Sequence, residues 1–251
     1  MLLDYLQRGV LAGVLAGLAY GLYVALVANP LVDYMETVAK GGEHGHTAGE
    51  HVHAAGEHAH AVSETTTAVV SVGSAILWGI LLGGVFALAV YFLEPALPGR
   101  DPINAYVLAG SGYFTVSVAP WLVLPPTTPG AEQAGDPTTR IVIYIGMMVV
   151  GAVVATASVL GYRRVASRSR PLGLLTAAVP LVSLGLLAAF VAPTIVETGT
   201  LPADLVTAFR GLTALSQAAL WVLVAGLFNW LGARPALGST TERHDGALTN
   251  P

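Results

Sequence analysis

Cysteine is absent from the 251 residues, which excludes disulfides, thiolate metal ligands and cysteine nucleophiles. Charge is scarce as well. Asp, Glu, Lys and Arg make up 10% of the chain, against roughly 25% in an ordinary soluble domain. The formal net charge of -4 argues against a nucleic-acid partner. No G-x-x-x-x-G-K-[ST] pattern is present, so ATP hydrolysis is not intrinsic. H-E-x-x-H and G-x-S-x-G are missing too, and the chain is not expected to be an enzyme. What fills the sequence instead is apolar: 54% hydrophobic residues and a mean hydropathy of +0.68. Its solvent is therefore partly lipid. The expected fold is all-α, a polytopic helical membrane protein with about six transmembrane helices.

A membrane helix needs about 20 mainly apolar residues. Six runs qualify: Gly9–Ala28, Ala68–Leu93, Ile103–Leu124, Ile141–Tyr162, Leu172–Ala192 and Val206–Leu231. The third is the most polar, with Asn104, Ser111, Thr115, Ser117 and Pro120. Lys and Arg concentrate in cytoplasmic loops. With six spans and a cytoplasmic N-terminus, Arg8, Arg100, Arg163, Arg164, Arg168, Arg170, Arg234 and Arg243 lie inside. Only Lys40, Arg140 and Arg210 lie outside. Removing the third span would expel the four-arginine loop, so six spans with both termini cytoplasmic are expected. Residues 1–232 then form one helical membrane domain, and 233–251 a short disordered cytoplasmic tail. A cleaved signal peptide is the other reading of the first run, but its apolar stretch of about 19 residues exceeds the usual 7–15.

Gly9, Gly13, Gly17 and Gly21 recur every four residues and share one helix face, as Gly79 and Gly83 do in the second run. Small residues so spaced let two membrane helices approach closely, and these two are expected to pack together. Asn29-Pro30 and Glu94-Pro95 read as helix stops, because an X-Pro step biases the preceding residue away from helix. Pro120 and Pro180 are expected to break helices and free carbonyls. Thr213, Gln217 and Trp221, with Asn229 farther on, share a face of the last run. They serve either as interhelical glue or as a polar track for an ion.

The chemistry concentrates between the first two runs, in a polar loop from about Asn29 to Thr67. A heptad there occurs three times: Gly42–Ala48, Gly49–Ala55 and Gly56–Val62. Each copy contributes Glu-His-x-His: Glu43, His44 and His46; Glu50, His51 and His53; Glu57, His58 and His60. Six of the seven histidines thus fall within seventeen residues; His244 stands alone in the tail. Neutral imidazole ligates zinc, copper, nickel and iron, and cobalt by the same chemistry. A neighbouring glutamate adds an oxygen ligand or orients a ring. These nine residues are the candidate metal ligands; the competing reading is an inert low-complexity spacer. Ligand chemistry alone does not select cobalt, since affinity rises from cobalt through nickel to copper.

The pattern resembles the CbtA-type probable cobalt transporter subunit family. A glycine-rich first span ends in Asn29-Pro30-Leu31, where relatives tend to have Glu-Pro-Leu. A histidine-rich loop follows, the third span runs into Ala119–Gly130 (APWLVLPPTTPG), and the last opens with Leu201–Trp221. Two departures stand out: Pro180 is followed by Leu181 where relatives often have histidine, and family descriptions commonly give five spans. The resemblance implies uptake of a divalent transition metal as substrate, cobalt before nickel or zinc, without an organic cofactor. It also implies a small single-span CbtB-type membrane subunit as partner. A membrane potential favours dication passage inward by roughly 4.6 kcal/mol per 100 mV. The alternative function is a membrane-anchored metal buffer or sensor that conducts nothing itself.

Overall fold

The computed structural model describes residues 1–43, 64–97, 103–131, 136–191, 199 and 201–233. Among these there is no strand, and the elements are helices α1 (Leu2–Tyr23), α2 (Asn29–Glu43), α3 (Glu64–Leu93), α4 (Ile103–Tyr113), α5 (Ala119–Trp121), α6 (Pro137–Ala166), α7 (Arg170–Val191) and α8 (Ala203–Gly232). The all-α expectation holds.

By length and apolarity the expected span count is not met: among the described residues five helices, not six, are long and apolar enough to cross a membrane, those carrying the first, second, fourth, fifth and sixth runs. The third run forms α4, a π-helical turn (Phe114–Val118) and α5 in unbroken succession, and stops at Trp121 rather than Leu124. Its amide, hydroxyls and proline dilute the apolar content, and they are tolerated because the segment is covered. Asn104, Ala105, Leu108, Ala109, Ser117, Ala119 and Pro120 are buried. It nevertheless reaches from one end of the bundle to the other. Asn104 sits with Tyr5, Glu94 and Asn229 at what we call the near end, while the loop after Trp121 brings Gly130 against Gly199 at the far end.

The glycine seam forms as expected. α1 and α3 are the most extensively packed pair of helices and run antiparallel. A Cβ added to Gly13 would strike the Gly79 carbonyl oxygen, and one added to Gly79 would strike that of Gly13. Gly9 and Gly83 oppose each other in the same reciprocal way. With no side chain between the backbones, dispersion and weak Cα–H···O contacts hold the pair, which lipid cannot out-compete.

Asn29-Pro30 does not stop the first helix. A π-helical turn over Val24–Ala28 absorbs the proline, and helix continues as α2 to Glu43. Phe114–Val118 holds the same register before Pro120, so that proline does not break its helix either. In both, the cap N–H bonds five residues back, Asn29 to Val24 and Ala119 to Phe114. The wider turn relieves the clash a proline ring makes with the carbonyl four residues earlier. α2 persists because it has a surface to cover: Met35 is 0% exposed and packs with Leu201 and Val206, flanked by Leu31, Val38 and Phe209. The expected loop from Asn29 is thus helical as far as Glu43. Pro180 also lies within an intact helix, α7. Glu94-Pro95 does end α3, in a 3-10 turn over Glu94–Ala96.

The main core joins α1, α3, α4 and α8 through Ala12, Ala16, Phe86, Leu108, Leu220, Val224 and Phe228. α7 packs on α6, and α6 packs on the π turn of the third run and on α5.

Candidate functional site

Of the nine expected metal ligands, Glu43 is the last residue of α2, and the other eight lie outside the described residues. Among the described residues no three His, Asp or Glu side chains gather as a metal site would require. What the structure does place is the anchorage of the repeat. α2 leads into it and α3 leads out of it at the far end, where α2 packs on the first turns of α8. Leu2 and Gly232 lie at the near end, where an Arg8 Nη1 stands 3.2 Å from the position a Gly232 Cβ would take.

Several polar groups inside the bundle make helix-to-helix or local bonds. Gln217 Nε2 donates to the Tyr20 hydroxyl at 2.8 Å, tying α8 to α1. Tyr113 donates to the Ala214 carbonyl at 2.9 Å, tying α4 to α8. Asn29 Nδ2 donates to Ser71 Oγ at 3.1 Å, tying the start of α2 to α3. Thr213 and Ser216 bond back to carbonyls of their own helix. Thr213, Gln217 and Trp221 therefore form no continuous track: Trp221 instead covers Gly112 of α4. Ser111 and Thr115 line, with Trp221, a largely apolar cavity of about 340 Å³ between α3, α4 and α6. Of Thr213, Gln217 and Trp221, Gln217 realises the interhelical reading, while Thr213 bonds within its own helix.

A polar recess of about 560 Å³ opens at the near end. Four helix ends contribute to it: Tyr5 and Arg8 of α1, Glu94 after α3, Asn104 of α4 and Asn229 of α8. The Tyr5 hydroxyl donates to Glu94 Oε2 at 2.9 Å. Asn104 is 7% exposed, and its Oδ1 is buried without a hydrogen-bond partner. Beside the recess, Arg163 Nη1 donates to the Ala96 carbonyl at 2.6 Å. Sequence reasoning missed this grouping. It marked Glu94 as a helix stop and Asn104 as a polar residue of a weak span, and nothing local joins residues 5, 8, 94, 104 and 229. The one usable signal was that all five lie at the ends of apolar runs that meet on the same side when the runs alternate.

A helical bundle that leaves Leu15, Leu22, Leu77, Ile145, Leu175 and Phe190 exposed, on helices long and apolar enough to cross a bilayer, is an integral membrane protein. The chain belongs to the family described as probable cobalt transporter subunit (CbtA), whose model matches residues 2–233. No curated protein and no solved structure matches it.

Proposed function

We propose that this chain takes up a divalent transition metal, cobalt before nickel or zinc, and that the Glu-His-x-His repeat is its external capture arm. Family membership supports the class of cargo. The observation that carries the reading is the anchorage of the repeat at the far end, opposite the near end where the first and last helices begin and finish. The arginine-rich α6–α7 turn belongs to the near end as well, through Arg163 and Ala96. The charge rule then assigns the near end and both termini to the cytoplasm and the repeat to the outside.

In this scheme the third run counts as a crossing, since it joins the two ends although it is shorter and more polar than the rest. His44, His46, His51, His53, His58 and His60 bind the ion as neutral imidazoles. Glu43, Glu50 and Glu57 contribute charge and oxygen ligands. The bundle conducts and performs no covalent chemistry, and the membrane potential drives the dication inward. The family's description as a subunit supports a partner, for which we propose a single-span CbtB-type membrane protein.

The test is uptake of labelled cobalt by cells expressing the full chain with its partner, comparing wild type with a variant in which the six repeat histidines are serine. The expected result is a several-fold rise in half-saturating cobalt with an unchanged maximal rate. Equal uptake at limiting metal would remove the capture role, and absence of uptake by wild type would leave a buffer or sensor. Binding by the purified protein should be strong at about pH 7.5 and mostly lost by about pH 5.5, as protons displace metal from imidazole. Because the chain has no cysteine, Ala54→Cys gives a single site whose labelling from outside intact cells reports the side of the repeat.

A further inference from the structure

The apolar cavity of about 340 Å³ between α3, α4 and α6 has the form of a slot within one leaflet. α6 packs on α4, the π turn, α5 and α7, while α3 packs on α1 and α4. The third run and Trp221 therefore floor a gap that α3 and α6 flank. Val85, Leu93 and Leu160 line it and are still 56%, 44% and 42% exposed, so it opens sideways toward lipid. Along α6 the lining runs from Ala152 to Leu160, about 12 Å of helix. That is most of the roughly 15 Å that one leaflet contributes to the hydrocarbon core. No acidic side chain lines the slot.

The near-end mouth of the slot carries positive charge. Arg163 follows Leu160 by about 4.5 Å along α6. Its Nη1 reaches across to the carbonyl of Ala96, itself part of the lining. That bond uses one of the five N–H donors of the guanidinium. No carboxylate pairs with it: among the described residues the salt bridges are Met1 with Asp4 and Lys40 with Glu36. Arg164 stands beside it in the last turn of α6. We propose that this slot binds an anionic phospholipid, with one acyl chain lying between α3 and α6 and the headgroup phosphate on Arg163. The apolar slot matches the chain in length and the unneutralised guanidinium matches the headgroup in charge. Basic pockets between membrane helices recognise anionic headgroups in this way. The bound chain fills the space that keeps α6 and α7 from packing on α3. The proposal goes beyond the uptake reading and does not depend on it.

The experiment uses the full-length protein in detergent and measures lipid binding by native mass spectrometry. The probes are phosphatidylglycerol and phosphatidylcholine with matched acyl chains. Phosphatidylglycerol should bind about fivefold more tightly, the worth of one arginine at a headgroup. Arg163→Gln should abolish that preference, and Arg163→Lys should keep most of it. Ala152→Phe fills the slot from an exposed position and should weaken both lipids. Phosphatidylglycerol with a photoreactive group in mid-chain should label peptides covering residues 111–116 and 152–160, and Ala152→Phe should suppress that labelling. Equal binding of the two lipids, an unchanged preference in Arg163→Gln, or labelling spread evenly over the chain overturns the proposal. A loss in Arg163→Lys as complete as in Arg163→Gln also overturns it, because the Ala96 bond rather than charge would then set the preference. Inorganic phosphate should not displace the lipid; displacement would mean a free-anion site and no lipid slot. If Ala152→Phe does not fold, Thr156→Phe on the same wall takes its place, and unchanged binding in that variant overturns the proposal.

Discussion

The hydroxyl of Tyr144 in α6 donates to the carbonyl oxygen of Val116 at 2.6 Å, the acceptor four residues before Pro120. An α-helix would satisfy that oxygen from the backbone N–H of residue 120, and proline has none. A side chain from a neighbouring helix replaces the missing donor, which ties α6 to the third run at its weakest point.

Tyr144→Phe should therefore destabilise the protein by about 1 kcal/mol, the usual worth of such a bond after its alternatives are counted. Thermal unfolding in detergent gives the loss. Faster amide exchange over residues 114–121, without change in α1, would place it in the third run.

The glycine seam makes a sharper contrast. Gly79→Ala puts a methyl against the Gly13 backbone and should force α1 and α3 apart, costing about 3 kcal/mol or more. Gly73→Ala on the same helix meets nothing within 4 Å and should be neutral or slightly stabilising. Melting temperatures of the two variants, measured side by side, test whether close approach or glycine content matters.

Met35 is the anchor of α2 on α8. Met35→Ala should cost about 2–3 kcal/mol, as truncation of a buried side chain does. Pro30→Ala removes the reason for the π turn. One residue fewer in that turn swings α2 by about 100° and takes Met35 off its contact. Cross-linking between Cys introduced at Val38 and at Leu205 should form readily in the parent and poorly in Pro30→Ala.

Asp136 caps α6: its carboxylate accepts from Thr139 N at 3.0 Å and from Thr139 Oγ1 at 2.6 Å. These bonds, the hydroxyl's first, hold its pKa below the ordinary 3.8. With the folded value depressed, the cap's contribution is present in full above the unfolded value and is lost as pH falls through the folded one. Amide exchange at Thr139 should stay slow down to about pH 4 and speed up below it. Asp136→Ala should show fast exchange at every pH, and Asp136→Asn should flatten the pH response.

The two X-Pro steps that read alike in sequence show where local reading stops. After Pro95 α3 ends in a 3-10 turn, and Leu97 meets the main core on an extended backbone rather than on a helix face. After Pro30 the residues Leu31, Met35 and Val38 recur at helical spacing and find α8, so helix resumes. That period was visible in the sequence; the surface waiting for it was not. The candidate site divides the same way. The histidine repeat was legible as a motif because its residues are neighbours in the chain. The near-end recess was not, because Tyr5, Glu94 and Asn104 meet only through the antiparallel arrangement of α1, α3 and α4.

Lipid as solvent, helix as the only element, the glycine-faced pair and the histidine cluster were all written in the sequence. Each depends on residues close along the chain, whose transfer energies and spacings add up locally. Which prolines interrupt a helix, which polar groups pair across the bundle and which helix ends gather around Glu94 were decided only by tertiary packing. Those outcomes turn on the relative height and rotation of helices far apart in sequence, and no local preference encodes them.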